Sequence, residues 1–135
     1  MNQAPEPVVQ VLIRTRHNAY APYSHHPVAA VMESTDGQQF AGCNVEAAHY
    51  KGLCAEASAI AAMVTAGQRK LSNVYVMGPN EHLCTPCGDC RQRIREFATL
   101  NTRIFVLSPQ GKVLKTYTID TLLPDAFGPE NFPPR

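Results

Sequence analysis

Three cysteines constrain this chain more than any other feature. Cys54 opens the triplet Cys54-Ala55-Glu56, and Cys87 and Cys90 stand in Pro86-Cys87-Gly88-Asp89-Cys90. Each motif begins a segment that reads as a helix. A fold that uses all three sulfurs must bring two helix N-termini together. Residues three apart on a helix project to one side, so Cys87 and Cys90 share a face. Helix N-termini carry unpaired N–H groups and the positive end of the helix dipole, which favours thiolate over thiol.

Three thiolates suit a zinc ion, and three protein ligands leave its fourth position open for water. Bound zinc lowers the pKa of that water from about 15.7 towards ~7. Glu56 makes the pattern more than a metal site. It stands two positions after a ligand and is not needed as one. A carboxylate beside an activated water can take its proton and pass it to a substrate. A His or Cys two places before a Glu, with Pro-Cys-x-x-Cys downstream, is the general signature of zinc deaminases. The competing arrangement is a closed zinc knot that adds Cys84 from Cys84-Thr85-Pro86-Cys87. Pro86 stiffens that approach, and Glu56 would then have no role. Cys84 and Cys43 are expected to be reduced packing cysteines.

The rest of the chain gives the motifs a frame. Its 135 residues predict one domain, 1–135. Hydrophobic residues at 44% supply a core, and charged residues are only 17%. A net charge of +1 gives no reason to expect a polynucleotide partner, which would demand clustered Lys and Arg. A small neutral or weakly charged ligand fits better. No apolar run approaches the ~20 residues of a membrane span. No basic region followed by an apolar stretch opens the chain, so the expected compartment is the cytoplasm. There the five cysteines stay reduced, and an odd number cannot all pair.

Residues 7–19 predict a helix, with Val8, Leu12 and Ile13 at helical spacing. Residues 19–27, with two prolines, predict a loop. Residues 28–34 and 38–45 flank Asp36-Gly37 and predict a β-hairpin. Residues 54–66 form an alanine-rich helix that stops at Gly67. A strand at 74–77, a helix at 88–98, a strand at 104–107, a turn at Pro109-Gln110-Gly111 and a last strand at 113–119 follow. Helices alternating with buried strands give an α/β layered domain. The hairpin makes its sheet mixed.

With these motifs in place, the chain resembles the cytidine deaminases, specifically the short homotetrameric class. Cys54-Ala55-Glu56 and Pro86-Cys87-Gly88-Asp89-Cys90-Arg91-Gln92 carry the resemblance. Three flanking segments extend it: Pro22-Tyr23-Ser24 with Pro27-Val28, Gly42-Cys43-Asn44-Val45-Glu46, and Leu122 to Pro129. The resemblance implies a three-layer α/β/α fold with a mixed sheet of about five strands. It implies that Cys54, Cys87 and Cys90 hold Zn²⁺ and that Glu56 shuttles protons. Asn44 and Glu46 would hold the ribose 3′-hydroxyl, and an amide beside a carboxylate can saturate a group that both donates and accepts. The backbone around Ala55 and Thr85 would contact the base edge. Phe127 would stack on the base from a neighbouring subunit. The expected substrate is cytidine or deoxycytidine.

Four departures bear on the base end of the site. The family usually has an arginine after Cys-Ala-Glu; here it is Ala57. That arginine partly offsets the negative charge of zinc with three thiolates. Arg91 is the best replacement and His49 the second. The family usually has an aromatic residue before Pro27-Val28; here it is His26, which can stack but also donates hydrogen bonds. Ala47-Ala48 replaces Asn-Ala after Glu46, and the stretch from Asn44 to Cys54 is one residue shorter than usual. The ribose pair survives, so the expectation is nucleoside deamination with altered tolerance at the base, including cytosines substituted at the 4-amino group. The rival enzyme is a deaminase of a cytosine-bearing antibiotic of the blasticidin S type. Asn44-Val45-Glu46 argues against it and Ala57 mildly for it. Polynucleotide editing and a zinc-stabilised binding module are the remaining alternatives.

Overall fold

The Asp36-Gly37 turn sets the first strand pairing. Gly37 sits at φ +88°, a left-handed conformation that glycine adopts without steric cost. It joins β1 (Ala29–Ser34) to β2 (Gln39–Cys43) in an antiparallel register that places Ala29 opposite Cys43. In the computed structural model, which describes residues 1–134, three further strands extend this hairpin. β3 (Leu71–Met77) runs antiparallel to β1, β4 (Ala98–Leu107) parallel to β3, and β5 (Val113–Tyr117) antiparallel to β4. The sheet order is β2-β1-β3-β4-β5.

Side chains alternate across the sheet, and both faces of its centre are buried. Ala30, Met32, Val74, Val76 and Ile104 face one core, which takes in Ala59, Ile60 and Met63 of α2 (Ala55–Thr65) and Ile94 of α3 (Gly88–Phe97). Ala29, Val31, Tyr75, Met77, Phe105 and Leu107 face a second core, where α1 (Glu6–His17) buries Val8, Val9 and Leu12. The result is a three-layer α/β/α architecture on a mixed five-stranded sheet.

The structure starts β3 and β4 earlier than predicted, β3 at Leu71 instead of Val74, and shortens the last strand. β4 begins at Ala98, directly after α3, six residues before the predicted start at Ile104. The polar run Thr99-Leu100-Asn101-Thr102-Arg103 hides the strand from a hydrophobicity pattern. Thr102 is nonetheless fully buried, because its hydroxyl donates to the Leu71 carbonyl at 2.6 Å and accepts from the Thr99 amide at 2.8 Å. The last strand stops at Tyr117 instead of Ile119. Ile119 begins a short helix, α4 (Ile119–Leu122), and buries itself with Leu122 one turn on. At the hairpin's other end β2 stops at Cys43, and Val45 bridges back to Leu53 around the loop between them.

One close contact positions the functional end. α2 lies directly on β2 at Gly42, and the Ser58 hydroxyl donates to the Cys43 carbonyl at 2.9 Å. Among the described residues no helix is long and apolar enough to cross a membrane.

Candidate metal centre and active site

Two helices aim their N-termini at one point. Cys54 is the N-cap of α2 and Cys87 the N-cap of α3, both with extended backbone. Neither end has a side-chain capping bond. Cys90 follows in the first turn of α3 and is fully buried. The three sulfurs lie within 4.8 Å of one another, and those of Cys54 and Cys87 are 3.7 Å apart.

A zinc–sulfur bond of about 2.3 Å at the tetrahedral angle separates neighbouring sulfurs by about 3.8 Å. The spacing therefore fits zinc with little adjustment. It does not fit a disulfide, and all five cysteines are free. Burial pushes the Cys54 thiol above its ordinary value, with the neighbouring Cys87 adding to the effect. Burial pushes Cys90 up strongly, with the charge of Glu56 second. Such a cluster becomes thiolate when a cation compensates the charge, as a divalent metal does.

Cys84 is not part of the cluster. Its sulfur faces Nε2 of His26 at 3.6 Å, so three sulfurs converge and the fourth lies on a cavity wall. This geometry disfavours the closed four-cysteine knot.

Glu56 lies in the first turn of α2 and is 5% exposed. It is the one buried carboxylate among the described residues. Burial raises its pKa above the ordinary carboxylate range. A carboxylate so placed gains basicity, as a proton carrier near neutral pH requires.

Glu56 borders a cavity of about 370 Å³, a size that suits a small-molecule ligand. Cys54, Ala55, Thr85 and Cys87 line it with Glu56, and so do Ser24, Asn44 and Glu46. Glu46 also borders an adjoining recess with Tyr23 and Tyr50, which sets it at the outer side. His26 and Cys84 form part of the wall.

Asn44 and Glu46 also hold the loop that forms this wall. Asn44 Oδ1 accepts from the Val28 amide at 2.9 Å, and its Nδ2 donates to the His26 carbonyl at 2.9 Å. An amide side chain has two donors and two acceptor sites, so one of each remains. Glu46 accepts from the amides of Tyr23 and Ser24 at 3.0 and 3.1 Å and from the Ser24 hydroxyl. These bonds, the Ser24 hydroxyl first, lower the Glu46 pKa, so it stays ionised. The sequence marked Asn44 and Glu46 for ligand contact but missed this loop-holding work. Ser24 could have been found from its place in Pro22-Tyr23-Ser24.

The remaining candidates separate. Arg91 braces the turn before Cys87. Its Nε donates to the Pro86 carbonyl at 2.7 Å, Nη1 to the Leu122 carbonyl at 2.8 Å and Nη2 to Thr85 Oγ1 at 3.3 Å. It brings its charge to the turn between the sulfurs and α4. His49 is exposed in the short loop after Glu46, and Ala57 is buried behind Glu56. Phe127 lies apart from the cavity lining. It is 57% exposed, its ring meets Phe132 edge-on at 5.6 Å, and Gln92 Nε2 donates to its carbonyl at 2.9 Å. The missed lining residues are Ser24, Val28 and Cys84, and sequence spacing gave no sign that Cys84 would meet His26.

Comparison with known proteins agrees with this geometry. Residues 3–107 match the family described as the cytidine and deoxycytidylate deaminase zinc-binding region. A cytidine deaminase of Sporosarcina psychrophila is 36% identical over 119 residues, 87% of each chain. One from Mycoplasma pneumoniae is 40% identical over 114 residues, covering 82% of this chain and 84% of the relative. The crystal structure of a cytidine deaminase from Burkholderia pseudomallei superposes with a TM-score of 0.82 at 35% identity, covering 90% of this chain and 97% of that one. Sulfur cluster, buried carboxylate, layer order and kinship all lead to one place: this chain belongs to the zinc-dependent cytidine and deoxycytidylate deaminase family.

Proposed function

We propose that this chain hydrolyses the 4-amino group of a cytosine nucleoside, giving the uracil nucleoside and ammonia. One observation carries the reading. Cys54, Cys87 and Glu56 share a single cavity with Asn44 and Glu46. The first three suit metal-assisted proton chemistry, and the last two suit a ribose hydroxyl.

Zinc held by Cys54, Cys87 and Cys90 would supply Lewis-acid activation of water at neutral pH. Glu56 takes the proton of the attacking water and hands it to N3 of the base, which makes C4 electrophilic. The water oxygen bonds to C4, Glu56 then takes the remaining proton from the C4 hydroxyl and moves it to the 4-amino nitrogen, and the C4–N4 bond breaks as the C4 carbonyl forms, releasing ammonia. The Thr85 hydroxyl accepts from Arg91, which has only donors, so its own proton is free to turn to the base edge. The spare donor and acceptor of Asn44, with Glu46 beside it, orient the sugar. The Ala55 backbone borders the base from the first turn of α2.

Phe127 belongs to the same reading through a neighbouring copy. It is exposed on its own chain and free to cap the cavity of another, as in the homotetramer the family resemblance implies. The chain works as one catalytic domain in a reducing compartment such as the cytoplasm, where its ligand cysteines stay available.

A second reading concerns the base. His26 and Cys84 give the wall two polar groups. That wall favours tolerance of cytosines substituted at the 4-amino nitrogen.

An ultraviolet screen of zinc-loaded protein tests both readings, with the leaving group identified as ammonia from free 4-amino substrates and as acetamide from N4-acetylcytidine. Cytidine, deoxycytidine, free cytosine, N4-acetylcytidine and a cytosine-bearing antibiotic form the panel. Turnover of nucleosides but not free cytosine is expected, with Glu56→Gln keeping zinc and losing about 10³-fold in rate or more. Turnover of the antibiotic alone would overturn the nucleoside reading. Inert N4-substituted forms would remove the second.

A further inference from the structure

The contact between Cys84 and His26 is a close side-chain pairing in the cavity wall that takes no part in the deamination steps. It joins two elements far apart in sequence: the loop before β1 and the turn before α3. Cys84 Sγ lies 3.6 Å from His26 Nε2, within hydrogen-bond reach for the larger sulfur atom. Both side chains line the cavity that Glu56 borders.

Cys84 is held in place from behind. A Cβ added at Gly78 would stand 2.8 Å from Cys84 Cβ and 3.2 Å from its sulfur, so the backbone just after β3 packs against it with no slack. His26 is held through its backbone, its amide donating to the Ser24 hydroxyl at 3.1 Å and its carbonyl accepting from Asn44. Both partners are fixed, and the pair is part of the frame.

We propose that Cys84 is a positioning residue that fixes His26 as the tautomer protonated at Nδ1, so that His26 presents an N–H donor to the bound base. The reason is donor and acceptor counting. A neutral imidazole nitrogen is a far stronger acceptor than a thiol sulfur, so with Cys84 un-ionised the favoured arrangement is S–H to Nε2, which puts the ring proton on Nδ1. Burial and the nearby charge of Glu56 both keep Cys84 in the thiol form. Among the described residues no protein group bonds to His26 Nδ1, which leaves it for a ligand.

The class of ligand follows from where the pair lies. Cys84 and His26 line the cavity together with Cys54, Glu56 and Cys87, so the wall flanks the end where the amino group is processed. The donor there suits an acceptor oxygen on the 4-amino substituent, such as the carbonyl of an N4-acyl group. This inference rests on the proposed nucleoside reading and names the substituent that its base end recognises.

Two experiments test the pair, and the first does so independently of the enzyme's identity. Long-range ¹⁵N–¹H correlation spectra of the zinc-loaded protein report which ring nitrogen of His26 carries the proton. The wild type and Cys84→Ser, which keeps a donor, should show Nδ1–H. Cys84→Val, which has none, should show a mixture or Nε2–H. The ratio of kcat/KM for N4-acetylcytidine to that for cytidine should fall about tenfold in Cys84→Val and in His26→Phe, and recover in Cys84→Ser. An Nε2–H signal in the wild type overturns the inference, and so does a ratio that stays within about twofold in both disrupted variants. If neither nucleoside turns over, the functional reading fails, and the tautomer spectrum still decides the pair.

Discussion

Replacing Gly42 by alanine should loosen the metal centre from behind. A Cβ at Gly42 would stand 2.7 Å from the Ser58 Cβ and 2.8 Å from the Ala55 carbonyl oxygen, with the Ala59 nitrogen also in the way. Ala55 and Ala59 contribute backbone atoms of the helix capped by Cys54, so they cannot swing aside. Carbon contacts are comfortable at about 3.5–4.0 Å, so strand and helix must part by roughly 1 Å. Overpacking of this kind costs about 1–3 kcal/mol, and rigid backbone on the helix side puts Gly42→Ala near about 3. For a chain of this size that lowers the melting temperature by roughly 9 °C. The displaced helix carries Cys54 and Glu56, and a shift of about 1 Å at reacting groups costs up to about 100-fold in rate. Gly88→Ala is the control, since a Cβ there meets nothing within 4 Å. It should change stability by less than about 1 kcal/mol. Thermal melts of both zinc-loaded variants beside cytidine turnover make the comparison. The reasoning fails if Gly42→Ala melts within about 1 °C of the wild type, or loses no more activity than Gly88→Ala.

Other perturbations follow from the same geometry. Burial holds the Cys54 and Cys90 thiols above their ordinary values, so they enter the metal site as thiolates only by releasing protons. Zinc affinity should therefore rise with pH and fall by up to about tenfold per displaced proton for each pH unit lowered, as competition with a chromophoric chelator would measure. Flat affinity between about pH 6 and 8 would mean that the ligands are already thiolate. Asn44→Ala removes the bonds to His26 and Val28. It should cost about 2 kcal/mol and raise KM for nucleosides, a calorimetric and kinetic prediction that unchanged KM would contradict. Arg91→Lys replaces three bonds with a point charge that cannot span Pro86, Leu122 and Thr85 together. The variant should keep zinc while kcat/KM falls about tenfold or more, and full activity would show that charge alone suffices.

The metal centre was legible because its logic is local. N-capping cysteines, three-residue spacing and a glutamate two places on are read from a few adjacent residues, and the helices behind them follow from alanine and glycine placement. The hairpin was legible for the same reason, through Asp36-Gly37. What escaped depends on contacts distant in sequence. Thr102 is buried because its hydroxyl finds Leu71, and nothing in its own neighbourhood announces a strand. Ile119 reads as strand by type, yet α4 buries it better one turn from Leu122. Cys84 looked like inert packing because its partner, His26, is 58 residues away. Asn44 and Glu46 were read as ligand groups alone, while the fold also has them hold the wall around the ligand.

Zinc-edge X-ray absorption of the metal-loaded chain tests the central claim most directly. The account predicts three sulfurs at about 2.3 Å and one lighter oxygen or nitrogen neighbour at about 2.0 Å. A fit requiring four sulfurs would contradict it, since Cys84 would then have left His26 to close the corner that catalysis needs open.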